Sequence, residues 1–202
     1  MNIRPRINRW TTARRELLFG DSMLTSLVQP HFVVAGEGVD APIEGMPGIH
    51  QQSVDVLLQT VKDDFAHGLR AVMLFGVVAS EHKDAHASHA HDPSSHLHRA
   101  VIALKAAHGD DLVVMTDVCL CTATDHGHCG LVHEGEIVND ASVDVLVNIA
   151  RSHAEAGADY VCASDMMDGR VSAIRTAFEE AGLTSTGTVS YTHLTLPTRR
   201  GG

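Results

Sequence analysis

Short continuous apolar runs alternate with helix-period stripes along this 202-residue chain, and no other feature restricts the fold as much. Ala71-Val72-Met73-Leu74-Phe75, Leu112-Val113-Val114-Met115 and Tyr160-Val161-Cys162-Ala163 read as strands buried on both faces. Leu27-Val28 and Phe32-Val33-Val34 bracket Gln29-Pro30-His31 as the start of a further strand. The segment from Pro42 to Gly48 is Pro/Gly-punctuated loop. After Ser53, Val54, Leu57, Leu58, Val61 and Phe65 recur at helical spacing and stop at Gly68. Leu97, Val101 and Leu104 mark a second helix. Val143, Leu146, Ala150 and Ala154 mark a third, with Asp140 as candidate N-cap and Gly157 at its end. Val171, Ile174, Phe178 and Ala181 stripe a fourth, closed by Gly182. Buried strands alternating with helices build βα units on a parallel sheet. Right-handed crossovers then gather the loops that follow strands at one end, where chemistry collects. The count is about four and a half units, against the eight that close a TIM barrel.

Composition excludes several classes. Hydrophobic residues make up 44% and charged residues 20%, a globular balance. The net charge of -10 argues against general nucleic-acid binding. No apolar run approaches the ~20 residues of a membrane span. The start, MNIRPRINRW, has no apolar h-region, so the expectation is a cytoplasmic protein with reduced thiols. Residues 1–26 carry Arg4, Arg6, Arg9, Arg14 and Arg15 and read as an arm ending in a short helix near residues 14–18. It is either a disordered tail or an arm that packs on a neighbouring subunit. There are only three lysines, Lys62, Lys83 and Lys105.

Chemistry concentrates between Asp117 and Gly130, in DVCLCTATDHGHCG. Cys119, Cys121 and Cys129 have C-x-C-x7-C spacing, begin where a strand ends, and enclose His126 and His128. If the extended conformation persists through Leu120, Cys119 and Cys121 present sulfurs on one side, and the loop folds back to deliver Cys129. Soft thiolates suit Zn2+, and three protein ligands with an open fourth position describe a catalytic zinc. Three thiolates leave one net negative charge, so such a zinc holds and orients a substrate better than it acts as a strong acid. A disulfide or inert buried thiols are the alternatives. A second polar cluster, from Ser164 to Arg170, follows the next strand at the same end. Its Ser164, Asp165 and Asp168 either line a shared site or cap the next helix. Cys162, alone on its strand, reads as core. Six histidines, His82, His86, His89, His91, His96 and His98, read as a solvated polar loop, with metal binding as the alternative.

Two stretches, TDVCLCTATDHGHCG and SDMMDGRVSAIR, resemble porphobilinogen synthase, the delta-aminolevulinic acid dehydratase family. Supporting matches in family order are Phe32-Val33 near Gly36, Met46-Pro47-Gly48, Leu74-Phe75-Gly76, Lys83-Asp84, Asn139-Asp140 and Ala156-Gly157-Ala158-Asp159. The resemblance implies a TIM (β/α)8 barrel whose N-terminal arm embraces another subunit in a homo-octamer. It implies condensation of two 5-aminolevulinate molecules to porphobilinogen in tetrapyrrole synthesis. It makes Cys119, Cys121 and Cys129 zinc ligands, Asp117 an active-site aspartate, and Ser164 and Asp165 part of the substrate pocket. It also allows Mg2+ in the intact enzyme, at a site outside this chain.

The sequence departs from the family in places. Thr122-Ala123 replaces an acidic and aromatic pair, and Cys162-Ala163 replaces Ala-Pro. Leu194 stands where the resemblance places a Schiff-base lysine, and the strand bearing a second such lysine has no counterpart. The expectation is therefore an arm (1–26), a partial barrel (27–191) without an intact fifth strand, and a foreign tail (192–202). Such a truncated product would leave an apolar edge and an unpaired inner face, and would be inactive alone. The alternative is a non-catalytic zinc-binding half-barrel that pairs with another chain.

Overall fold

The computed structural model describes residues 4–190. Leu194 and the expected foreign tail, 192–202, lie outside the described residues. The chain enters through a 3-10 turn, Pro5–Arg9, and helix α1, Thr12–Phe19. Strand β1 (Gln29–Val33) is followed by β2 (Asp40–Pro42), β3 (His50–Gln52) and helix α2 (Val54–Ala66). Strand β4 (Ala71–Gly76) leads to α3 (His96–His108), and β5 (Val113–Val118) ends at the cysteine loop. That loop returns through a two-stranded hairpin, β6 (Leu131–His133) and β7 (Glu136–Val138), into α4 (Asn139–Glu155). Strand β8 (Tyr160–Ala163), helix α5 (Arg170–Glu180) and β9 (Gly187–Ser190) complete the described chain.

The main sheet has the order β2-β3-β1-β4-β5-β8-β9. All neighbours pair in parallel except β2, which runs antiparallel to β3. From β1 onward the strands advance in one direction, with a helix between each successive pair. Apolar stripes on α2 and α3 meet Val33, Val72, Leu74 and Val114, and those on α4 and α5 meet Val118, Val161 and Ala163. The opposite face carries Ala71, Met73, Val113, Tyr160 and Cys162. One-way winding with helices on one face is the construction of a TIM barrel, whereas a doubly wound sheet carries helices on both. Among the described residues the sheet is open, with β2 and β9 as its edges.

Four expectations change here. Strand β9 is an intact fifth barrel-type strand, aligned with β8 from Tyr160↔Gly187 to Ala163↔Ser190. With one apolar residue in four it gives little periodic signal. Its place depends on close approach, since a Cβ at Gly187 would lie 2.4 Å from the Tyr160 ring. The histidine tract is solvated only in part: His82 and His86 are exposed, but His96 and His98 are buried in the first turn of α3, and His153 of α4 is buried beside them. Asp140 does not cap α4, because the helix begins at Asn139 and Asp140 lies inside its first turn. Likewise Asp168 does not cap α5, whose N-cap is Gly169.

The segment Pro5–Phe19 packs on the chain's own sheet, where Ile7, Ala13 and Leu17 cover the N-terminal end of the inner face. Arg14 fastens it. Its guanidinium donates to Asp159 at 2.6 Å and to the carbonyls of Ser185 and Ile7, and it lies over the Tyr160 ring. Lys105 and the Val114 amide occupy the other Asp159 oxygen at 3.0 and 2.8 Å. Trp10, Phe19, Met23 and Leu24 stay exposed. Among the described residues no helix is long and apolar enough to cross a membrane.

Candidate metal centre and active site

Strand β5 stops at Val118, so extended backbone does not carry the cysteines as the spacing suggested. A turn does. The amides of Ala123 and Thr124 both donate to the Leu120 carbonyl at 2.9 Å, while the side chains of Leu120 and Ala123 are fully buried as anchors. The turn brings the sulfurs of Cys119 and Cys121 to 3.3 Å. The loop after β4 clamps this turn from the side. The Asp84 amide donates to Ala123, and the Asp125 amide donates to Asp84. The Asp84 carboxylate is itself fixed by the amides of His86 and Ser88.

The return path is equally constrained. The Thr124 hydroxyl donates to the His128 carbonyl, and Gly130 then passes through a gap with no room for a side chain. A Cβ there would meet Ile137 at 2.5 Å, Ser142 at 3.0 Å and Met167 at 3.2 Å. Cys129 is delivered next to the other two cysteines, and the three sulfurs all lie within 4.8 Å of one another. Among the described residues this is the only such cluster. His126 and His128 stand edge to face with each other and do not join it.

The donor set fits a soft divalent metal. The Cys119 thiol donates to Cys121, which raises the pKa of Cys119 and lowers that of Cys121. Burial pushes Cys129 up to about 11. Two of the three are therefore harder to ionise than a free thiol, and the third is easier. A bound cation supplies the charge that lets the others follow, since a metal deprotonates its coordinating thiols.

Beside the sulfurs, β5 and β8 contribute a polar pair. Parallel pairing aligns Asp117 with Cys162, and Ser164 follows two residues later. The Ser164 hydroxyl donates to Asp117 at 2.6 Å. Burial pushes Asp117 up to about 6; the Ser164 bond opposes this, and Asp165 reinforces it. Asp165 is buried, and Arg170 holds it with Nε at 2.6 Å from Oδ2. Arg170 also donates to the carbonyls of Asp165 and Met167, which ties the loop after β8 to the start of α5. Burial raises Asp165 while Arg170 pulls it down. Cys162 sits among the buried inner-face residues, its thiol pushed up to about 12 by burial.

The structure thus gathers Cys119, Cys121, Cys129, Asp117, Ser164 and Asp165 at the C-terminal ends of adjacent strands. Lys105 is at the opposite end, on Asp159, and Lys62 is exposed on α2. Sequence reasoning missed Arg170 as the partner of Asp165, although it ends the SDMMDGR stretch. It placed His96 in a polar loop and did not single out His153; both border the same small cavity as Asp117 and Cys119.

Comparison with known proteins agrees with this geometry. The profile of the family "Delta-aminolevulinic acid dehydratase" matches residues 2–194. The delta-aminolevulinic acid dehydratase of Methanothermobacter thermautotrophicus is 49% identical over 169 residues, 83% of this chain and 51% of that protein. That of Chlamydia pneumoniae is 40% identical over 93% of this chain and 57% of its own length. The chain spans about half the length of the curated relatives it matches. A Toxoplasma gondii delta-aminolevulinic acid dehydratase, solved with its reaction product porphobilinogen, superposes with a TM-score of 0.81 at 41% identity, over 95% of this chain and 55% of that one. The barrel-type sheet, the cysteine cluster and these matches together show that the chain belongs to the delta-aminolevulinic acid dehydratase, or porphobilinogen synthase, family.

Proposed function

We propose that this chain carries the metal-binding side of a porphobilinogen synthase site, which joins two 5-aminolevulinate molecules into porphobilinogen with loss of water. The observation that carries this reading is the convergence of three cysteine sulfurs within 4.8 Å beside the Asp117–Ser164 pair. Cys119, Cys121 and Cys129 would hold Zn2+, the ion that an all-thiolate set selects over harder cations. When bound, the zinc supplies a Lewis acid that orients and polarises an oxygen of the substrate. Asp117 and Ser164 offer an acceptor and a hydroxyl to the reacting amino ketone. Asp165, locked by Arg170, shapes the wall behind them.

Imine formation from a ketone requires a lysine amine. Lys105 is engaged at the far end of the sheet, and Leu194 occupies the position where the family resemblance places a Schiff-base lysine. We therefore read the 202-residue chain as competent to bind metal and not to turn over by itself. A soluble cytoplasmic homo-oligomer, built through the N-terminal region, fits the exposed Trp10, Phe19 and Met23.

The experiment is zinc analysis of the purified chain, with a colorimetric assay for porphobilinogen. The expected result is equimolar zinc, lost in the C119A/C121A/C129A variant, and no product. Absence of zinc, or its retention in that variant, overturns the metal reading, and product formation overturns the inactivity. One observation favours a second reading, a zinc-binding half-barrel subunit. Phe32, Phe75, Met115 and Val189 are only half-buried, and among the described residues β9 is an edge strand that a partner strand could extend. Stable association with a separate chain, without gain of activity, would support it.

A further inference from the structure

The loop after β8, which carries Ser164 and Asp165, is tied to the cysteine-bearing segment at both ends. Its first end is tied upstream of the cysteines, where Ser164 donates to Asp117. Its far end is tied downstream of them, by Asn139. The Asn139 side chain accepts from the Asp168 amide at 2.8 Å and donates to the Asp168 carbonyl at 3.3 Å. One primary amide thus pairs with both backbone groups of Asp168, as a neighbouring strand would. Its Nδ2 also donates to the Asp140 carboxylate at 3.0 Å, which orients the amide. Between the two ties, Met167 approaches Gly130, its Cε 3.2 Å from where a Cβ would stand.

The two ties differ in what supports them. At Ser164, β5 and β8 already run in register as far as Val118 and Ala163. At Asp168 the strand has ended, and the exposed residue stands just before Gly169, whose φ of +78° turns the chain into α5. Arg170 holds Asp165 and Met167 from within α5, so Asn139 is the polar tie from the far end of the loop to another element. Asn139 is also joined to Cys129 by a short path. Gly130 follows Cys129, and Leu131 to Val138 make the β6–β7 hairpin. The buried Ser142 closes the base of that hairpin. Its oxygen accepts from the Leu131 amide at 2.8 Å, and its hydroxyl donates to the Val138 carbonyl. Gly130, both ends of the hairpin and the first turn of α4 are therefore one bonded unit, with Cys129 on one side and Asn139 on the other.

We propose that Asn139 is a positioning residue that couples metal binding at Cys119, Cys121 and Cys129 to the placement of the loop bearing Ser164 and Asp165. The inference rests on the metal reading of the cysteine cluster. When Cys129 is held by a metal, Gly130 and the hairpin base are held with it, and Asn139 passes that constraint to Asp168. The pocket wall is then fixed with the metal bound and opens more often without it, a local opening of the kind that amide exchange reads. Coupling between two sites is reciprocal, so opening the loop weakens metal binding by the same factor. The bonds at Asn139 are solvent-accessible, which sets the expected coupling at about fivefold, the low end for linked sites.

Hydrogen exchange of the full chain, with and without zinc, tests this in the parent, N139A and N139D. The amides to follow are those of residues 165–167, beside the Asp168 bonds. In the parent, zinc should slow their exchange about fivefold. In N139A that ratio should fall to about one, and zinc affinity, read by chelator competition, should drop about fivefold. N139D keeps an oxygen for the Asp168 amide and should restore most of the ratio. A residue that only stabilises the fold would speed exchange equally with and without zinc and leave the ratio as in the parent. The inference is overturned if zinc binds the parent without slowing these amides, or if N139A keeps the parental ratio. A parent that binds no zinc overturns the metal reading, and the coupling with it.

Discussion

The Ser164 hydroxyl donates to Asp117 Oδ1 at 2.6 Å, and this bond ties the end of β8 to the end of β5 beside the cysteine sulfurs. Replacing Ser164 with alanine leaves a buried carboxyl oxygen without that donor, which costs roughly 1–3 kcal/mol. The urea midpoint of S164A should fall accordingly, with zinc content unchanged because no sulfur ligand moves. Loss of zinc from S164A would show that the pair holds the metal loop rather than neighbouring it.

Gly130 governs the third sulfur. A methyl group there meets Ile137, Ser142 and Met167 at once, so the chain must shift and carry Cys129 with it. G130A should weaken zinc affinity by about tenfold, the low end of the effect of disturbing residues that orient metal ligands. Competition with a chromophoric chelator measures it. G130A with parental affinity would mean that the loop absorbs the clash without moving Cys129.

Asp159 joins the N-terminal segment to the sheet. It accepts from Arg14, Lys105 and the Val114 amide, and its removal strands a buried guanidinium. D159A should lose roughly 3–5 kcal/mol, as when one partner of a buried ion pair is deleted. Amide exchange in residues 12–19 should accelerate more than in β4 or β5. Uniform acceleration across the chain would show that the arm and sheet unfold as one unit.

Acid should destabilise the fold through its buried histidines. Burial lowers the pKa of His153 to about 3 and that of His96 to about 4. The unfolded chain takes up these protons first, so stability is complete above about pH 6.5 and falls as pH drops toward the folded values. His153 alone contributes a slope of about 1.4 kcal/mol per pH unit in that window. Asp117, raised to about 6, pulls the other way, because the folded state binds its proton more tightly. Denaturation midpoints at pH 7, 6 and 5 should fall less steeply for H153Q than for the parent. Parallel slopes would remove His153 as a source.

The sequence by itself determined the βα alternation, because burial along a helix or strand repeats at a fixed local period. Leu57 and Val61 on α2, Ala71 to Leu74 on β4, and Ile174 and Phe178 on α5 are buried as their spacing requires. It also determined the ligand candidates, because three cysteines within eleven residues lie close enough in the chain to meet near one strand end. Only the tertiary structure decided how they meet. A turn on Leu120, the Asp84 clamp and the tight passage at Gly130 bring the sulfurs together where extended backbone was expected. Tertiary structure alone also placed β9, buried His96, His98 and His153, and paired Arg14 with Asp159 across 145 positions. Local periodicity carries no information about such contacts. They depend on strand register and helix packing, which bring together residues far apart in the chain, and the site lies where those long-range alignments coincide.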